Sequence, residues 1–289
     1  MQLHQLFIPR QANGRVAAHR YMEFPPSPLL RPYIACYWAS EPRRAHAPLP
    51  ETDGVDRVLP DGCSDILFEH DLTDNRFHIR YSGLFDHAFA ICYDERRPTR
   101  KFGVRFFPGG AYSFLRTPLS PFINQLLPLD DLWPGLAGDI GEQLAEAPTF
   151  QAKIQVMERY LISLLQKNNA VDDFRMANLL LRIFVAKGKT GIRELAESET
   201  ISVRQMHRMF QNTIGISPKR FSEIIRFQAV VSQLEKRRSG VNGSMLALEH
   251  GFFDHAHMIR DFRRFYGDSP IIAVREYGRM SEFYNTIPR

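Results

Sequence analysis

The sequence predicts an α+β protein in which a β-rich N-terminal domain closed by helices (residues 1–168) precedes an all-α domain of two helix-turn-helix units (residues 174–289). Two observations predict this division. The first half contains short runs of β-branched and aromatic residues separated by turn signals, whereas the second half contains capped segments with apolar residues at helical spacing. The polar stretch from residue 167 to residue 173 separates the two halves and marks the predicted boundary.

Composition excludes several classes of protein. A chain of 289 residues that is 44% apolar and 24% charged can bury substantial cores, and its length indicates about two domains. The chain lacks the roughly 18 consecutive apolar residues of a membrane span, and its first 20 residues lack the apolar core of a signal peptide. Cys36, Cys63 and Cys92 form no CxxC pair, which argues against a disulfide framework and a zinc site. These features predict a cytoplasmic protein that neither spans a membrane nor is secreted.

The excess of positive over negative charge lies entirely in the second half of the chain. Residues 1–169 contain 18 Lys and Arg against 19 Asp and Glu, whereas residues 170–289 contain 19 against 13. The net charge is therefore −1 in the first part and +6 in the second. A basic domain beside a neutral one is typical of a protein that meets a polyanion, which is a nucleic acid or an anionic membrane surface.

The N-terminal half has the pattern of several short strands. The three clearest runs are Tyr33–Trp38, Asp65–Phe68 and Phe102–Phe107, and turn signals such as Pro60-Asp61-Gly62 lie between them. Strands at this spacing favour a sandwich or a barrel. From about Asp139 the apolar residues recur at helical spacing, so one or two helices are predicted to close the domain.

The first helix-turn-helix unit is defined by its caps. Ser202 to Gln205 fits a capping box that begins a helix, and Gly215 is suited to end it in the left-handed conformation. A short helix from Gly191 to Ser198 precedes it, with a turn of only about three residues between the two. Two short helices with so tight a turn are typical of a helix-turn-helix.

The second unit repeats this pattern of capping and terminating residues. Ser217-Pro218 begins a long helix that reaches about Lys236, or roughly 28 Å at 1.5 Å per residue. Short and long helices follow at 244–249 and 254–266. The segments Gly215-Ile216-Ser217-Pro218 and Gly267-Asp268-Ser269-Pro270 then carry the same pattern 52 residues apart. The basic half therefore contains two helix-turn-helix units in tandem.

Between residues 190 and 273 a series of positions occurs in a specific order: Leu195, Ala196, Ser202, Met206, Arg208, Phe210, Gly215, Pro218, Phe221, Arg226, Ala229, Leu234, Leu246–Glu249, Gly251, Phe252, Asp254, His257, Met258, Arg260, Phe262–Arg264, Gly267, Ser269 and Pro270. In these positions the chain resembles the AraC/XylS family of bacterial transcription regulators. It departs from the family's usual residues at Met258, where Phe is usual, and at Ala256 and Ala273, where Ser and Tyr are common.

The N-terminal half is similar to a domain found fused to such regulators. The similarity rests on three segments, which are Leu59–Ile66, Gly103–Ala111 and Pro128–Trp133. By analogy with other members of the family, the resemblance implies a cupin-like sensor barrel or an oligomerisation domain.

The second helix of each unit is the predicted DNA reader, because an α-helix fits the major groove and its N-terminal turns reach the base edges. Two such helices read adjacent grooves when they lie about 34 Å apart. The long helix that separates them, at roughly 28 Å, has a length of that order. A solvated polar face is the alternative interpretation. The candidate DNA-binding residues are Ser202, Arg204, Gln205, His207, Arg208, Gln211, His255, Ala256, Ile259, Arg260, Arg263 and Arg264.

Other conspicuous residues favour structural roles. His255 and His257 stand two residues apart on a helix, so their rings point in different directions and make a poor metal pair. Asp254 is predicted to cap its helix. Cys63 fits a small buried turn residue better than a thiol sensor. The aromatic residues Trp38, Phe106 and Trp133 are candidates for a ligand pocket, with a core role as the default.

These patterns and the resemblance together predict a sequence-specific transcription regulator whose N-terminal domain responds to a ligand or mediates self-association. The resemblance implies double-stranded DNA as a partner, and it allows a small-molecule effector, RNA polymerase and a second copy of the chain. No membrane partner, cofactor, metal or catalytic residue is predicted. The alternative is an enzyme, or a DNA-repair methyl acceptor, with a DNA-binding C-terminal domain. That repair chemistry needs a cluster of zinc-bound cysteines, which three isolated cysteines do not supply.

Overall fold

The computed structural model describes residues 3–12, 19–42, 56–91, 94, 96–168, 174–236 and 243–274. No helix within these ranges is both long enough and apolar enough to cross a membrane. The N-terminal half comprises α1 (Leu3–Leu6), β1 (His19–Phe24), β2 (Ile34–Pro42), β3 (Asp56–Val58), β4 (Ser64–Asp71), β5 (Arg76–Ser82), β6 (Phe89–Ile91), β7 (Thr99–Phe106), α2 (Gly110–Leu115), β8 (Leu126–Pro128), α3 (Leu136–Glu146) and α4 (Phe150–Lys167).

Six of the strands form one antiparallel sheet in the order β1-β2-β7-β4-β5-β8, and β3 pairs with β6 in a separate two-stranded ribbon. The three runs predicted as strands lie in β2, β4 and β7 at the centre of this sheet. In their register, Gly103 of β7 lies between Trp38 of β2 and Leu67 of β4.

The two faces of the sheet differ because successive side chains of a strand point to opposite sides. Ile66 and Phe68 of β4 and Val104 of β7 belong to a core that also contains Ile140 of α3 and Met157 of α4. The predicted closing helices are therefore two, and they cover the apolar face. The described strands form an open sheet whose edges, β1 and β8, do not pair with each other. The cupin-like barrel that analogy implied is therefore not closed.

The helical half comprises α5 (Phe174–Val185), α6 (Ile192–Ser198), α7 (Val203–Thr213), α8 (Pro218–Lys236), α9 (Gly243–Glu249) and α10 (His255–Tyr266). The last five match the predicted helices to within one residue at each described end. Helix α5 was not predicted, and its buried residues Leu179, Leu180 and Ile183 join the core of the helical units. The predicted boundary at 169–173 lies outside the described residues.

Residues from the N-terminal half also enter the core of the helical half. Phe7 stacks on Phe184 of α5 with ring centroids 4.8 Å apart, and Leu59, Leu84 and Phe107 are buried in the same cluster. Segments that flank the strands thus complete the core of the helical half, while the core of the sheet is a separate apolar cluster.

Candidate nucleic-acid interface

The first candidate reading helix, α7, is capped as the sequence predicts. The Ser202 side chain accepts a hydrogen bond from the Gln205 amide at 3.1 Å, which satisfies one of the free donors of the first turn. After the helix, Gly215 has φ +99°, a conformation that disfavours residues with a side chain. The Ser202 cap and Gly215 therefore fix the two ends of α7.

Burial divides α7 into two faces. Met206 and Phe210 are fully buried against α6 and α8, and Met209 is partly buried in the same core. The predicted DNA-binding side chains lie outside this buried stripe. Ser202, Arg204 and Arg208 are exposed, whereas Gln205, His207 and Gln211 are half-buried.

The second candidate reading helix, α10, has the same design. Asp254 accepts a hydrogen bond from the His257 amide at 2.6 Å, so the predicted cap is confirmed, and Gly267 ends the helix with φ +84°. Four apolar or aromatic residues of α10 are buried: Met258, Phe262, Phe265 and Tyr266. On the outer face His255, Ala256, Arg260, Arg263 and Arg264 are exposed, and Ile259 is half-buried.

The two units are held together by α8. The Ser217 hydroxyl caps it by accepting a hydrogen bond from the Arg220 amide at 3.1 Å. Phe227 of α8 contacts Phe262 and Phe265 of α10, with ring centroids 5.3 Å and 5.4 Å apart. Phe221 near the other end contacts Phe210 of α7 at 5.8 Å. Both reading helices are therefore packed on one rigid connector.

The basic residues at the end of α10 differ in their surroundings. Arg260 has no ion pair among the described residues, whereas the Arg264 Nη1 lies 3.7 Å from the Glu223 Oε2 on α8. The Arg264 guanidinium also lies over the Phe265 ring, 5.6 Å from its centroid. Arg260 is thus free to reach outward, while Arg264 is partly held against the protein.

The two histidines of α10 are placed apart. His257 Nε2 lies 3.4 Å from the Asp261 Oδ2 one turn later, whereas the ring of His255 lies against Gly243, where a Cβ atom would come within 2.4 Å of the imidazole. Within the described ranges no group of three or more His, Cys, Asp or Glu side chains could hold a metal ion. The two rings thus point to different neighbours, as their spacing of two residues on a helix predicts.

The N-terminal half contacts the helical half away from the predicted DNA-binding faces. The Leu119 amide donates to the Asn212 carbonyl oxygen at the C-terminal end of α7, at 2.9 Å. On α8, the Arg220 Nε lies 2.9 Å from the Asp86 Oδ2 and its Nη2 donates to the Asp86 carbonyl oxygen at 2.8 Å. Hydrogen bonding to Arg220, His87 and Asn124 lowers the pKa of Asp86 against the opposing effect of burial.

Sequence reasoning missed Gln228, which joins the two halves from the middle of α8. Its side chain is buried, and its amide nitrogen donates to the carbonyl oxygens of Arg10 and Pro60, at 3.1 Å and 2.9 Å. Its amide oxygen accepts from the Arg10 amide at 2.7 Å. A polar residue within the apolar pattern of α8 was the available signal, but its partners are about 170 to 220 residues distant in sequence.

The candidate sensor residues of the N-terminal half occupy different environments. Phe106 and Trp133 are core residues, whereas Trp38 lines a cavity of about 280 Å³ on the sheet face opposite α3 and α4. Cys63 lines the same cavity, and burial raises its pKa well above its ordinary value, which disfavours the reactive thiolate. Cys92 lies outside the described residues.

Comparison with known proteins adds two domain families. The family described as a helix-turn-helix domain matches residues 195–275, and one described as a domain of unknown function (DUF6597) matches residues 22–128. The XylDLEGF operon transcriptional activator 1 of Pseudomonas putida is 23% identical over 225 residues, which cover 75% of this chain and 63% of that protein.

Residues 195–275 form a helix-turn-helix domain of the AraC/XylS type. An uncharacterized HTH-type transcriptional regulator of Haemophilus influenzae is also 33% identical over 102 residues, which cover 35% of this chain and 34% of that protein. The chain thus spans less than two thirds of the length of either relative. Among solved structures, the chain is similar to ToxT from Vibrio cholerae O395. The alignment covers 77% of this chain and 94% of the ToxT chain, with 9% identity and a TM-score of 0.40.

The AraC/XylS-type domain is found in bacterial transcription regulators that bind DNA, and α7 and α10 are the second helices of its two units. The N-terminal β-rich half corresponds to the domain of unknown function, whose match includes most of the sheet.

Proposed function

We propose that this protein is a sequence-specific transcription regulator whose α7 and α10 enter two adjacent major grooves of double-stranded DNA. One observation carries the proposal. Each of these helices buries its apolar side and exposes polar and basic side chains beginning at its capped N-terminal turn, where base edges come within reach. The net charge of +6 on residues 170–289 supplies the attraction to phosphates that such binding needs.

The full-length protein should protect two major-groove segments about 10 base pairs apart for each bound subunit. The measurement is hydroxyl-radical and methylation footprinting on sites selected from random DNA. A variant with Arg204 and Arg208 changed to alanine should lose one segment, and a variant with Arg260 changed should lose contacts in the other. A single protected segment at saturating protein would show that only one unit enters a groove.

We further infer that the N-terminal half senses a small molecule. The cavity that contains Trp38 supports this role, because it lies between the sheet and the β3–β6 ribbon and combines apolar with charged lining residues. Thermal unfolding of the full chain with and without metabolite fractions tests the inference. A domain that only self-associates would leave the unfolding temperature unchanged while sedimentation showed a dimer.

A regulator without catalytic activity is part of the same proposal. Its support is that both curated relatives are named as transcription regulators. The predicted cytoplasmic location follows from the proposed function, since a regulator acts where the DNA lies. Metal analysis of the purified chain separates this proposal from the methyl-acceptor alternative, which requires about one zinc ion per chain held by cysteine thiolates.

A further inference from the structure

The sheet has a charged second face. On β4, Asp65, Leu67 and Glu69 alternate with the core residues Ile66 and Phe68, so they point away from α3 and α4. The register places Asp65 opposite Arg105 of β7, and Glu69 opposite Lys101. The β3–β6 ribbon covers this face and leaves the cavity of about 280 Å³. Its volume suits a ligand at the small end of the usual range.

The inner end of the cavity has more negative than positive charge. Asp61 and Asp65 share the single guanidinium of Arg105, with Nη1–Oδ2 and Nε–Oδ1 distances of 3.6 Å and 3.4 Å. All three side chains are at least 83% buried. Because two carboxylates face one guanidinium, this cluster has an excess of one negative charge. Arg105 Nε, which is buried at the cavity, has no acceptor in hydrogen-bond geometry among the described residues.

The outer end of the cavity does not neutralise this excess. Lys101 and Arg80 both pair with Glu69, four residues along β4 from Asp65. At about 3.3 Å per residue this separation is roughly 13 Å, which is too long for a direct ion pair. Burial, together with the charge of Asp61, raises the pKa of Asp65 against the opposing effect of Arg105 and the Trp38 hydrogen bond. A cation placed beside Asp61 and Asp65 would relieve this unfavourable burial of charge.

Aromatic residues form the cavity wall next to this cluster. The Trp38 ring lies on Gly103, where a Cβ atom would come within 2.1 Å of it, and its Nε1 donates to the Asp65 Oδ1 at 2.8 Å. Phe85 and Phe89 lie together on the ribbon side, with ring centroids 4.5 Å apart. Faces of aromatic rings attract cations and disfavour anions.

We propose that this cavity binds a small organic ammonium ion, with its nitrogen between Asp61 and Asp65 and its apolar body against Trp38, Phe85 and Phe89. The site rests on the sensing role proposed for the N-terminal half and specifies the chemical class of the effector. An anionic effector would add a second negative charge to a buried cluster that already has one in excess.

The walls of the cavity are also the contacts to the DNA-binding domain. Val58 of β3 lines the cavity, while its neighbour Arg57 donates to the Tyr266 carbonyl oxygen at the end of α10, at 3.1 Å. Phe85 lines the cavity, while the next residue, Asp86, pairs with Arg220 of α8. An occupant that shifts β3 or the segment around Phe85 therefore acts directly on the elements that position both reading helices.

Three probes of similar shape test the ligand class on the full-length protein: 2-phenylethylamine, 2-phenylethanol and phenylacetate. Binding is followed by calorimetric titration and by the shift in unfolding temperature. The amine should bind saturably and at least about tenfold more tightly than the alcohol or the acid, which corresponds to about 1.4 kcal/mol. Equal binding of the three probes, tighter binding of phenylacetate, or no binding by any of them would overturn the proposal.

The variant Asp65→Asn then locates the site. It keeps an oxygen acceptor for Trp38 and removes one charge, so amine affinity should fall at least about tenfold while alcohol affinity changes little. Asp139→Asn, which removes an exposed carboxylate on α3, is the matched control and should bind as the unmodified chain does. If Asp65→Asn does not fold, the order of the three probes on the unmodified chain still decides.

Footprinting of the same preparations separates this inference from the proposed function. A normal footprint without amine binding rejects the ligand class alone. Absence of a footprint on any selected DNA rejects the regulatory function, whatever the amine does.

Discussion

At the scale of single residues, the basic side chains of α10 differ in what they can reach. Arg260 is exposed in the middle of the helix, one turn after the capped N-terminal turn. Arg263 and Arg264 lie in the last turn, and Arg264 is within 3.7 Å of Glu223. Base edges are contacted from the N-terminal part of a reading helix, whereas the groove wall and phosphates lie nearer its end.

We therefore expect Arg260→Ala to weaken binding to the cognate duplex by about 1 to 3 kcal/mol and to relax the preference at one or two base pairs. Arg263→Ala or Arg264→Ala should weaken binding to every duplex alike and reduce the slope of log K against log salt by about one unit if the side chain neutralises a phosphate. Titrations of cognate and shuffled duplexes at several salt concentrations measure both effects. Equal losses on the two duplexes for Arg260→Ala would exclude it as a base reader.

At the scale of elements, the turn between α9 and α10 contains a buried titratable group. His250 is 2% exposed, and its ring nitrogen bonds the Gln233 side chain of α8. Burial lowers its pKa to about 4, helped by the positive charges of Lys187 and Lys189 and opposed by Glu249. The neutral imidazole is therefore the form that fits the second helix-turn-helix unit.

This depressed pKa predicts a loss of stability in mild acid. Below the ordinary histidine pKa of about 6.5 the unfolded chain binds a proton that the folded chain excludes, so stability falls as the pH drops from about 6.5 toward 4. Between pH 7 and pH 5 the free energy of unfolding of the unmodified chain should fall by about 1 to 2 kcal/mol more than that of His250→Gln, because a glutamine side chain does not titrate. Urea unfolding at both pH values measures the difference. Parallel losses in the two proteins would show that His250 does not carry it.

At the scale of the whole molecule, a polar contact fastens the sheet domain to α8. Arg220 is 13% exposed at its side chain, contacts Asp86 through two hydrogen bonds and covers the Phe265 ring at 4.5 Å. Because α8 supports both reading helices, this contact couples the N-terminal half to the orientation of the DNA-binding units. The strength of the Arg220–Asp86 contact therefore determines how closely the motions of the two halves are coupled.

The variants Arg220→Met and Asp86→Asn should each lower the free energy of unfolding by about 2 kcal/mol, since hydrogen bonds to charged groups contribute about 1.5 to 3 kcal/mol. Because the two residues interact, the double variant should lose less than the sum of the single variants. Lys219→Met, at the exposed neighbouring position, is the control and should change little. Additive losses in this double-mutant cycle would mean that the contact does not form in solution.

The sequence alone determined the helical units, because their signals are local. A Ser or Asp cap, an apolar stripe at helical spacing and a following Gly act within about a dozen residues, so the bounds of α6 to α10 and the exposed sides of α7 and α10 were predictable. The same holds for the three central strands of the sheet, which are clear β-rich runs.

Only the tertiary structure decided how the two halves meet and which residues form the cavity proposed as a ligand site. Asp61, Asp65 and Arg105 are ordinary strand and turn residues in the sequence, and strand pairing across about 40 residues brings them to one buried site. Gln228 and Arg220 read as the polar side of a helix, yet they bond Pro60 and Asp86, which lie more than 130 residues away. Periodicity predicts which side of an element is buried, but it does not predict which distant surface covers it, because that choice depends on the packing of the whole chain.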